Sequence, residues 1–144
     1  MILTDERSTE NLGKRIAANL RAGDVVTLSG PLGVGKTALA RGILAALGHE
    51  GEVPSPSFAI VQPYDDLDPT VWHVDLYRVE DISELDELGL DAAAEGVLLV
   101  EWPERAGVAA WPYALRLTLD FAEDGARRLT AEVPPSWQDR WPPQ

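Results

Sequence analysis

The chain has 144 residues, which is enough for one domain and too few for two. It contains no cysteine, so disulfides and thiolate metal sites are excluded, and no apolar run approaches the roughly 20 residues of a membrane helix. Acidic residues outnumber basic residues by 24 to 12, and the formal net charge is −12. A field of that sign repels a polyanion, so we expect any RNA to be reached through a partner protein. The N-terminus lacks the pattern of a signal peptide, and we expect a cytoplasmic protein.

The first third of the chain alternates helix and strand patterns. Leucine and isoleucine recur every four residues over residues 9–20, which predicts an amphipathic helix with Ser8 or Thr9 as its N-cap. Residues 25–28 form a short apolar, β-branched run that predicts a buried strand. A second helix is predicted over residues 36–48, with a glycine at its C-terminal end.

Proline is frequent in the middle of the chain, where residues 53–57 are predicted to form an extended loop. Residues 115–121 and 129–133 alternate apolar and polar side chains around a turn at Asp124-Gly125, which predicts a β-hairpin. The tail, residues 135–144, is rich in proline and tryptophan and is predicted to be irregular. Between the loop and the hairpin, the patterns predict strand 58–61, turn 64–69, strand 71–77, helix 84–94 and strand 97–100.

Residues 30–37 match the pattern G-x4-G-K-[ST] of a P-loop. The motif follows a predicted buried strand and opens a predicted helix, which distinguishes it from a tight glycine turn. Lys36 is expected to neutralise the β- and γ-phosphates of ATP, and the Thr37 hydroxyl to bind Mg²⁺. The residues expected to bind the nucleotide are Gly30, Pro31, Leu32, Gly33, Val34, Gly35, Lys36, Thr37 and Ala38.

Two acidic residues, Asp75 and Glu101, each end a predicted buried strand. In P-loop folds, the acid that holds Mg²⁺ lies at such a strand end, at the edge of the crevice. We expect both to act on the metal or on the attacking water, and the sequence leaves open which does which. Ser57, in the proline-flanked loop, could add a hydroxyl to the metal, although an ordinary turn explains it equally well.

Four further side chains were considered for a role at the site. Two of them have both a functional and a structural interpretation, and no role at the site is assigned to the other two. Trp102 could stack on the nucleotide or cap the core. His73 is interpreted as a half-buried strand residue without a catalytic partner. Arg78 could reach a phosphate or pair with a nearby acidic residue. Arg41, one turn into the second helix, is expected to point away from the P-loop.

The rest of the chain excludes the larger classes of P-loop protein. A GTPase reads guanine with an N/T-K-x-D element, yet both asparagines precede the P-loop and no lysine follows Lys36. The serine-glycine-glycine signature of ABC-type ATPases is absent, and residues 82–95, the stretch comparable to a kinase lid, carry no arginine. A small ATPase is the first hypothesis. A small kinase and a nucleotide-dependent binding module without hydrolysis remain as alternatives.

Six motifs in chain order resemble one family. They are Leu12-Gly13, Gly23-Asp24, the P-loop with Arg41-Gly42, Ser55-Pro56-Ser57-Phe58, His73-Val74-Asp75-Leu76-Tyr77-Arg78 and Glu101-Trp102-Pro103-Glu104. Over residues 8–104 the chain resembles the bacterial TsaE (formerly YjeE) family, the ATPase of tRNA threonylcarbamoyladenosine biosynthesis. The resemblance implies a P-loop ATPase whose cycle supports the TsaB–TsaD pair. In that pair, TsaD transfers a threonylcarbamoyl group to adenosine 37 of tRNAs reading ANN codons.

The resemblance also implies roles for particular residues. Lys36 and Thr37 would hold phosphate and magnesium. Asp75 would have a Walker B-like role, Glu101 would act near the γ-phosphate, and Trp102 would lie near the nucleotide. Lys36, Asp75 and Glu101 are therefore the expected catalytic residues, and the expected metal ligands are Thr37, Asp75, Glu101 and Ser57. Ser57 stands where the family usually has threonine; it keeps the hydroxyl and loses a stiffening methyl.

Together, these patterns predict an α/β protein with a P-loop NTPase fold, in which helices flank a central β-sheet and a β-hairpin lies at the C-terminal end. The resemblance implies that the sheet is mixed. We expect one P-loop ATPase domain over residues 1–134, followed by the tail 135–144. The expected cofactors are ATP and Mg²⁺. We expect the TsaB–TsaD-type pair as partner, tRNA contacted only through that complex, no membrane association, and a monomer in isolation.

We predict that guanine nucleotides bind more weakly than ATP, because no lysine or asparagine after the P-loop can build the usual guanine-reading element. Calorimetric titration of the purified chain with ATP and GTP measures the difference. An equal or tighter affinity for GTP would contradict this prediction.

Overall fold

The computed structural model describes residues 1–51, 53, 61–81, 83, 95–107 and 110–143. Within these residues, seven strands form one sheet and two α-helices pack against it. Short 3₁₀ turns cover Pro103–Ala106, Glu123–Gly125 and Pro135–Trp137. The helices and strands in chain order are β1 (Ile2–Leu3), α1 (Glu6–Ala17), β2 (Val25–Ser29), α2 (Lys36–Ala46), β3 (Val61–Tyr64), β4 (Val71–Asp75), β5 (Val97–Glu101), β6 (Leu115–Phe121) and β7 (Arg127–Glu132).

The sheet is mixed, with strand order β1-β7-β6-β2-β5-β4-β3. Four central strands, β6, β2, β5 and β4, run parallel, and the pairs β6–β7, β7–β1 and β4–β3 toward the two edges are antiparallel. Two parallel strands need a crossover connection that returns the chain from the end of one strand to the start of the next. Helix α2 lies within one such crossover, between β2 and β4. The predicted fold class, a mixed α/β sheet with a C-terminal hairpin, is confirmed.

Alternation along the strands divides the buried apolar side chains into two clusters on opposite faces of the sheet. On β5, Leu99 belongs to the larger cluster with the apolar side chains of α1 and α2, while Leu98 and Val100 belong to the smaller one. Every residue of β5 is buried, in agreement with the prediction of a buried strand. In the described ranges, no helix is long and apolar enough to cross a membrane.

The first helix begins earlier than its apolar spacing predicts. Asp5 is the N-cap, with its Oδ1 atom accepting a hydrogen bond from the Ser8 amide at 2.7 Å, so the prediction of Ser8 or Thr9 as the cap is wrong. The first turn has no apolar side chain, so the apolar period begins one turn late. The end of α2 is as predicted. Gly48 has a φ of 112°, and the amides of Gly48 and His49 bond back to the carbonyls of Ala45 and Leu44 as in a Schellman motif.

Several strands differ from prediction, by one or two residues in β2, β5 and β7 and as follows in β3, β4 and β1. Strand β3 runs from Val61 to Tyr64, so the predicted turn begins one residue later, and residues 58–60 lie outside the described residues. Strand β4 ends at Asp75 and not at residue 77. Strand β1 was missed because two residues are too few to show alternation, yet it pairs with β7. The predicted helix 84–94 and the loop containing Ser57 also lie outside the described residues.

The described part of the tail packs onto the domain. Trp137 is buried in the larger apolar cluster, and its ring lies 4.0 Å from the guanidinium carbon of Arg140. Arg140 is itself buried and forms an ion pair of 2.7 Å with Asp24, in the turn before β2. The tail is therefore tied to the loop that leads into the central sheet.

Two glycines allow α1 and α2 to pack with their backbones close together. A Cβ atom on Gly13 would lie 2.5 Å from the Leu39 carbonyl oxygen, and one on Gly42 would overlap the Glu10 carbonyl. Neither conflict involves a flexible side chain that could move aside. The distance of α2 from α1, and with it the start of α2 at the P-loop, depends on these two residues.

We predict that Gly13→Ala lowers the free energy of unfolding by about 1–3 kcal/mol, because the added methyl group forces the helices apart. This loss is expected although alanine is the better helix former by about 1 kcal/mol. Urea unfolding followed by circular dichroism measures the change, with Lys14→Ala, at an exposed position of the same helix, as the control. A Gly13→Ala protein as stable as the parent would argue against the close contact.

Candidate functional site

A cavity of about 570 Å³ lies where β2, β4 and β5 end and α2 begins. It is lined by the P-loop and by Asp75 and Glu101, so the structure brings these sequence-predicted site residues together. The register explains the convergence, since Glu101 pairs with Leu28 of β2 on one side and with Asp75 of β4 on the other. Residues far apart in the chain therefore share one edge of the sheet.

The P-loop is an open cradle that ends at the start of α2. Gly33 and Gly35 have φ values of 79° and 115°, which disfavour residues with a side chain, and a Cβ atom at either would meet nothing within 4 Å. Gly35 is the N-cap of α2 and provides no side-chain cap. The first amides of the helix, with their partial positive charge, are therefore available to an anion.

The Lys36 side chain is buried within the cradle, and the residue is only 4% exposed. Its ammonium donates a hydrogen bond to the Gly30 carbonyl at 2.6 Å and lies 3.5 Å from the centroid of the Trp102 ring. Burial lowers the pKa of Lys36, and nearby carboxylates, Glu101 first, partly offset that effect. The near contacts of this ammonium are a carbonyl and an aromatic ring, and a phosphate bound in the cradle would give it an anionic partner.

Glu101 and Asp75 form a pair of buried carboxylates beside the cradle, at 3% and 5% exposure. The Thr37 hydroxyl oxygen lies 3.5 Å from both carboxylate oxygens of Glu101. Asp75 accepts a hydrogen bond from the Tyr77 amide at 2.9 Å. Burial, the largest cause, raises the pKa of Asp75, and the charge of Glu101 raises it further. Two buried negative charges side by side favour a bound cation.

His73 is fully buried, so the interpretation of it as half-buried is wrong. Its Nε2 atom lies 2.6 Å from the Oε2 atom of Glu101. The missed signal was the spacing of His73 and Asp75, which places both side chains on one face of β4. The spacing does not show that this face also carries Glu101, because that depends on β5 lying beside β4 in the sheet.

Trp102 has an unusual backbone, with φ 59° and ψ 49°. A bulky residue in this left-handed region is an outlier and is held there by its surroundings. Its ring contacts the ammonium of Lys36 and lies 4.9 Å from the ring of Tyr77, and it also packs against the smaller apolar cluster. The structure thus places Trp102 both at the P-loop lysine and on the core.

Arg127 at the start of β7 is a residue that sequence reasoning missed. Its Nε atom donates to the Val34 carbonyl of the P-loop at 2.9 Å, and its Nη1 atom donates to the Gly125 carbonyl at 2.8 Å. The guanidinium also lies 4.6 Å from the ring of Phe121. The hairpin therefore supports the P-loop from outside the central strands, and no local motif indicates this.

Two other arginines line the cavity. Arg41, which was expected to point away from the P-loop, is among the cavity-lining residues and forms ion pairs of 3.0 and 3.3 Å with Glu6 and Glu10 of α1. That placement follows from the packing of α1 against α2, which the helical spacing does not reveal. Arg78 also lines the cavity.

We predict that Asp75→Asn makes the nucleotide-free protein more stable at neutral pH. A carboxyl group whose pKa is raised on folding contributes stability below the ordinary aspartate pKa and loses it as the pH rises through the raised value. Asparagine removes that loss and can still accept from the Tyr77 amide. We expect a gain on the order of 1 kcal/mol, or about 4 °C in Tm, that shrinks toward low pH.

Thermal unfolding from pH 4 to pH 8 tests this expectation, with the exposed Asp65→Asn as the control. A Tm for Asp75→Asn that stays at or below the parent value across this range would contradict the assigned burial of the charge.

The chain matches the family "Threonylcarbamoyl adenosine biosynthesis protein TsaE" over residues 3–129. Proteins named tRNA threonylcarbamoyladenosine biosynthesis protein TsaE are similar in sequence. The one from Streptomyces coelicolor is 44% identical over 115 residues, covering 77% of this chain and 78% of the relative. The one from Bacillus subtilis is 39% identical over 124 residues, covering 85% and 77%.

A relative from Mycobacterium bovis is 47% identical over 106 residues, which span 67% of this chain and only 63% of the relative. Among solved structures, the crystal structure of YdiB from Bacillus subtilis superposes with a TM-score of 0.82 at 30% identity, covering 96% of this chain and 87% of YdiB. Because the family match extends over most of the sequence and the fold agrees along nearly all of it, the chain belongs to the TsaE family of tRNA threonylcarbamoyladenosine biosynthesis proteins.

Proposed function

We propose that this protein is a Mg²⁺-dependent ATPase that supports a TsaB–TsaD-type pair in forming N6-threonylcarbamoyladenosine at position 37 of tRNAs reading ANN codons. One observation carries the ATPase part of the proposal. The hydroxyl of the P-loop Thr37 lies 3.5 Å from both carboxylate oxygens of Glu101, so the phosphate cradle and the acidic strand end adjoin. The pathway comes from the family to which the chain belongs.

The phosphates of ATP would lie in the P-loop. Open space beside Gly33 and Gly35, the uncapped start of α2 and the buried ammonium of Lys36 all favour a polyphosphate there. The γ-phosphate would lie toward Thr37 and Glu101, so the nucleoside would extend toward the outer part of the cavity. Glu6 and Arg41 are among the residues that line the cavity.

The acidic end of the cavity suits Mg²⁺. Within the described residues, no group of three or more His, Cys, Asp or Glu side chains could hold a metal ion without other ligands. Mg²⁺ in phosphate-transfer sites needs only one or two carboxylates, since phosphates and waters complete its shell. Thr37 and Glu101 would hold it, with Ser57 as a further predicted ligand. Bound there, Mg²⁺ supplies charge neutralisation at the β- and γ-phosphates.

Asp75 would orient the attacking water. It lies beside Glu101 in the sheet register, and the Tyr77 amide holds one of its oxygens in place. The contact between Thr37 and Glu101 favours Glu101 as the metal ligand, which leaves Asp75 for the water. This assignment reverses the roles that the family resemblance implies.

A partner would supply what the isolated site lacks. Phosphoryl transfer is accelerated by a second cation near the γ-phosphate, a role that an arginine finger fills in many P-loop enzymes. The three arginines that line the cavity are already engaged, Arg41 with two glutamates, Arg127 with backbone carbonyls and Arg78 in a contact of its own. The net charge of −12 also favours docking onto a basic surface.

We predict that the chain alone hydrolyses ATP slowly and that the TsaB–TsaD-type pair accelerates it, by roughly 10³–10⁵-fold if the pair supplies an arginine finger. Steady-state phosphate release is measured with and without the pair, at low and high salt. Acceleration that weakens at high salt would fit electrostatic docking.

Lys36→Ala serves as the control, because it removes the cation aimed at the phosphates and should abolish hydrolysis in both conditions. A fast isolated enzyme that is indifferent to the pair would contradict the proposal. ADP formation that depends on an added small-molecule acceptor would favour a kinase, and binding without phosphate release would favour a binding module.

A further inference from the structure

We propose that His73 is a positioning residue that holds the Glu101 carboxylate toward Thr37, so that the pair is ready to bind the metal of the nucleotide complex. The proposal rests on the proposed function, because it gives a task to the same site. The juxtaposition that carries it is the hydrogen bond of 2.6 Å between the Nε2 atom of His73 and the Oε2 atom of Glu101, inside the sheet.

The sheet register places the two side chains together. His73 pairs with Leu99 across β4 and β5, and Asp75 pairs with Glu101 one step further along. Because side chains two residues apart share a face of the sheet, His73 and Glu101 are diagonal neighbours on one face. Both strands lie inside the sheet, and both side chains are buried.

The proton of this hydrogen bond belongs to His73. An ionised carboxylate can only accept, so Nε2 must carry the hydrogen when Glu101 is charged. The other ring nitrogen, Nδ1, is buried and has no hydrogen-bond partner among the residues that the structure describes. A hydrogen on Nδ1 would have no acceptor there, so the geometry favours the tautomer that carries its hydrogen on Nε2.

A neutral donor suits this position better than a cation would. A lysine or arginine in place of His73 would neutralise Glu101 and compete with the metal for it. A neutral N–H orients the carboxylate and leaves its negative charge in place, which is how outer hydrogen bonds tune metal-binding carboxylates. Both Glu101 oxygens then remain at equal distance from the Thr37 hydroxyl.

Without His73, Lys36 is the alternative partner for Glu101. Among the nearby carboxylates, Glu101 has the largest effect in raising the pKa of Lys36. The lysine ammonium is instead held by the Gly30 carbonyl and the face of Trp102, apart from the carboxylates. An unrestrained Glu101 would lean toward this ammonium and away from Thr37, which would weaken its hold on the metal while Lys36 keeps its own contacts with Gly30 and Trp102.

Three substitutions separate positioning from simple burial. His73→Gln places an amide nitrogen near the position of Nε2 and keeps the donor. His73→Asn is polar but too short to reach Glu101, and His73→Leu fills the space without a donor. Thermal unfolding establishes first that each variant folds. If His73→Leu does not fold, His73→Asn serves as the variant without a donor.

The measurement is ADP binding by calorimetry, without metal and then over a range of Mg²⁺ concentrations. We expect metal-free ADP affinity to stay within about threefold of the parent in all variants. His73→Asn and His73→Leu should need about 10–100-fold more Mg²⁺ to reach the same enhancement of ADP binding, and His73→Gln should restore most of it. In a Glu101→Gln background, His73→Leu should add little, because its effect passes through Glu101.

Each contrary result has its own meaning. A parent protein whose ADP binding is indifferent to Mg²⁺ would overturn the metal-dependent function and the role of His73 with it. A metal-dependent parent with unchanged His73→Asn and His73→Leu variants would overturn the role of His73 alone. Equal losses in all three variants, or a full additional loss in the Glu101→Gln background, would show that the histidine serves only the packing of the sheet.

Discussion

The site depends on the parallel pairing of β2, β5 and β4. Parallel strands end at the same edge of a sheet, so whatever follows each strand must meet there. The P-loop follows β2, Asp75 ends β4 and Glu101 ends β5, and the register aligns Glu101 with both neighbours. A shift of β5 by one residue would turn Glu101 to the other face of the sheet and remove it from Thr37 and His73.

The same pairing creates a buried group of charges that is incomplete without a ligand. Lys36, Asp75 and Glu101 are each at most 5% exposed, and burial disfavours the charged forms of Lys36 and Asp75. The carboxylates favour a cation and the cradle favours an anion, so a metal–polyphosphate complex satisfies both at once. These buried charges are expected to lower the free energy of unfolding of the ligand-free protein, as strained or charged groups at binding sites commonly do.

Support for the site comes from two elements outside the parallel strands. The C-terminal hairpin sends Arg127 to the carbonyl of Val34, which ties the P-loop to a distant part of the chain. On the other side, the close contact at Gly13 and Gly42 sets the distance of α2 from α1. The P-loop is therefore held by β2 before it, by α2 after it and by the contact of Arg127 with Val34.

The sequence by itself determined the family, the P-loop, the two strand-end acids and the alternation of the hairpin. These features are local patterns: a glycine-rich motif has its own geometry, and strand and helix periods are visible in a few residues. The strand at Ile2–Leu3, the partnership of His73 with Glu101 and the support from Arg127 were decided only by the tertiary structure, whereas the N-cap at Asp5 is a local contact that was also missed. Each of the first three joins segments that are neighbours only after the sheet has assembled, and no period along the chain records which strands lie side by side. The cap was missed for a different reason, since an exposed first turn carries no apolar signal of where the helix begins.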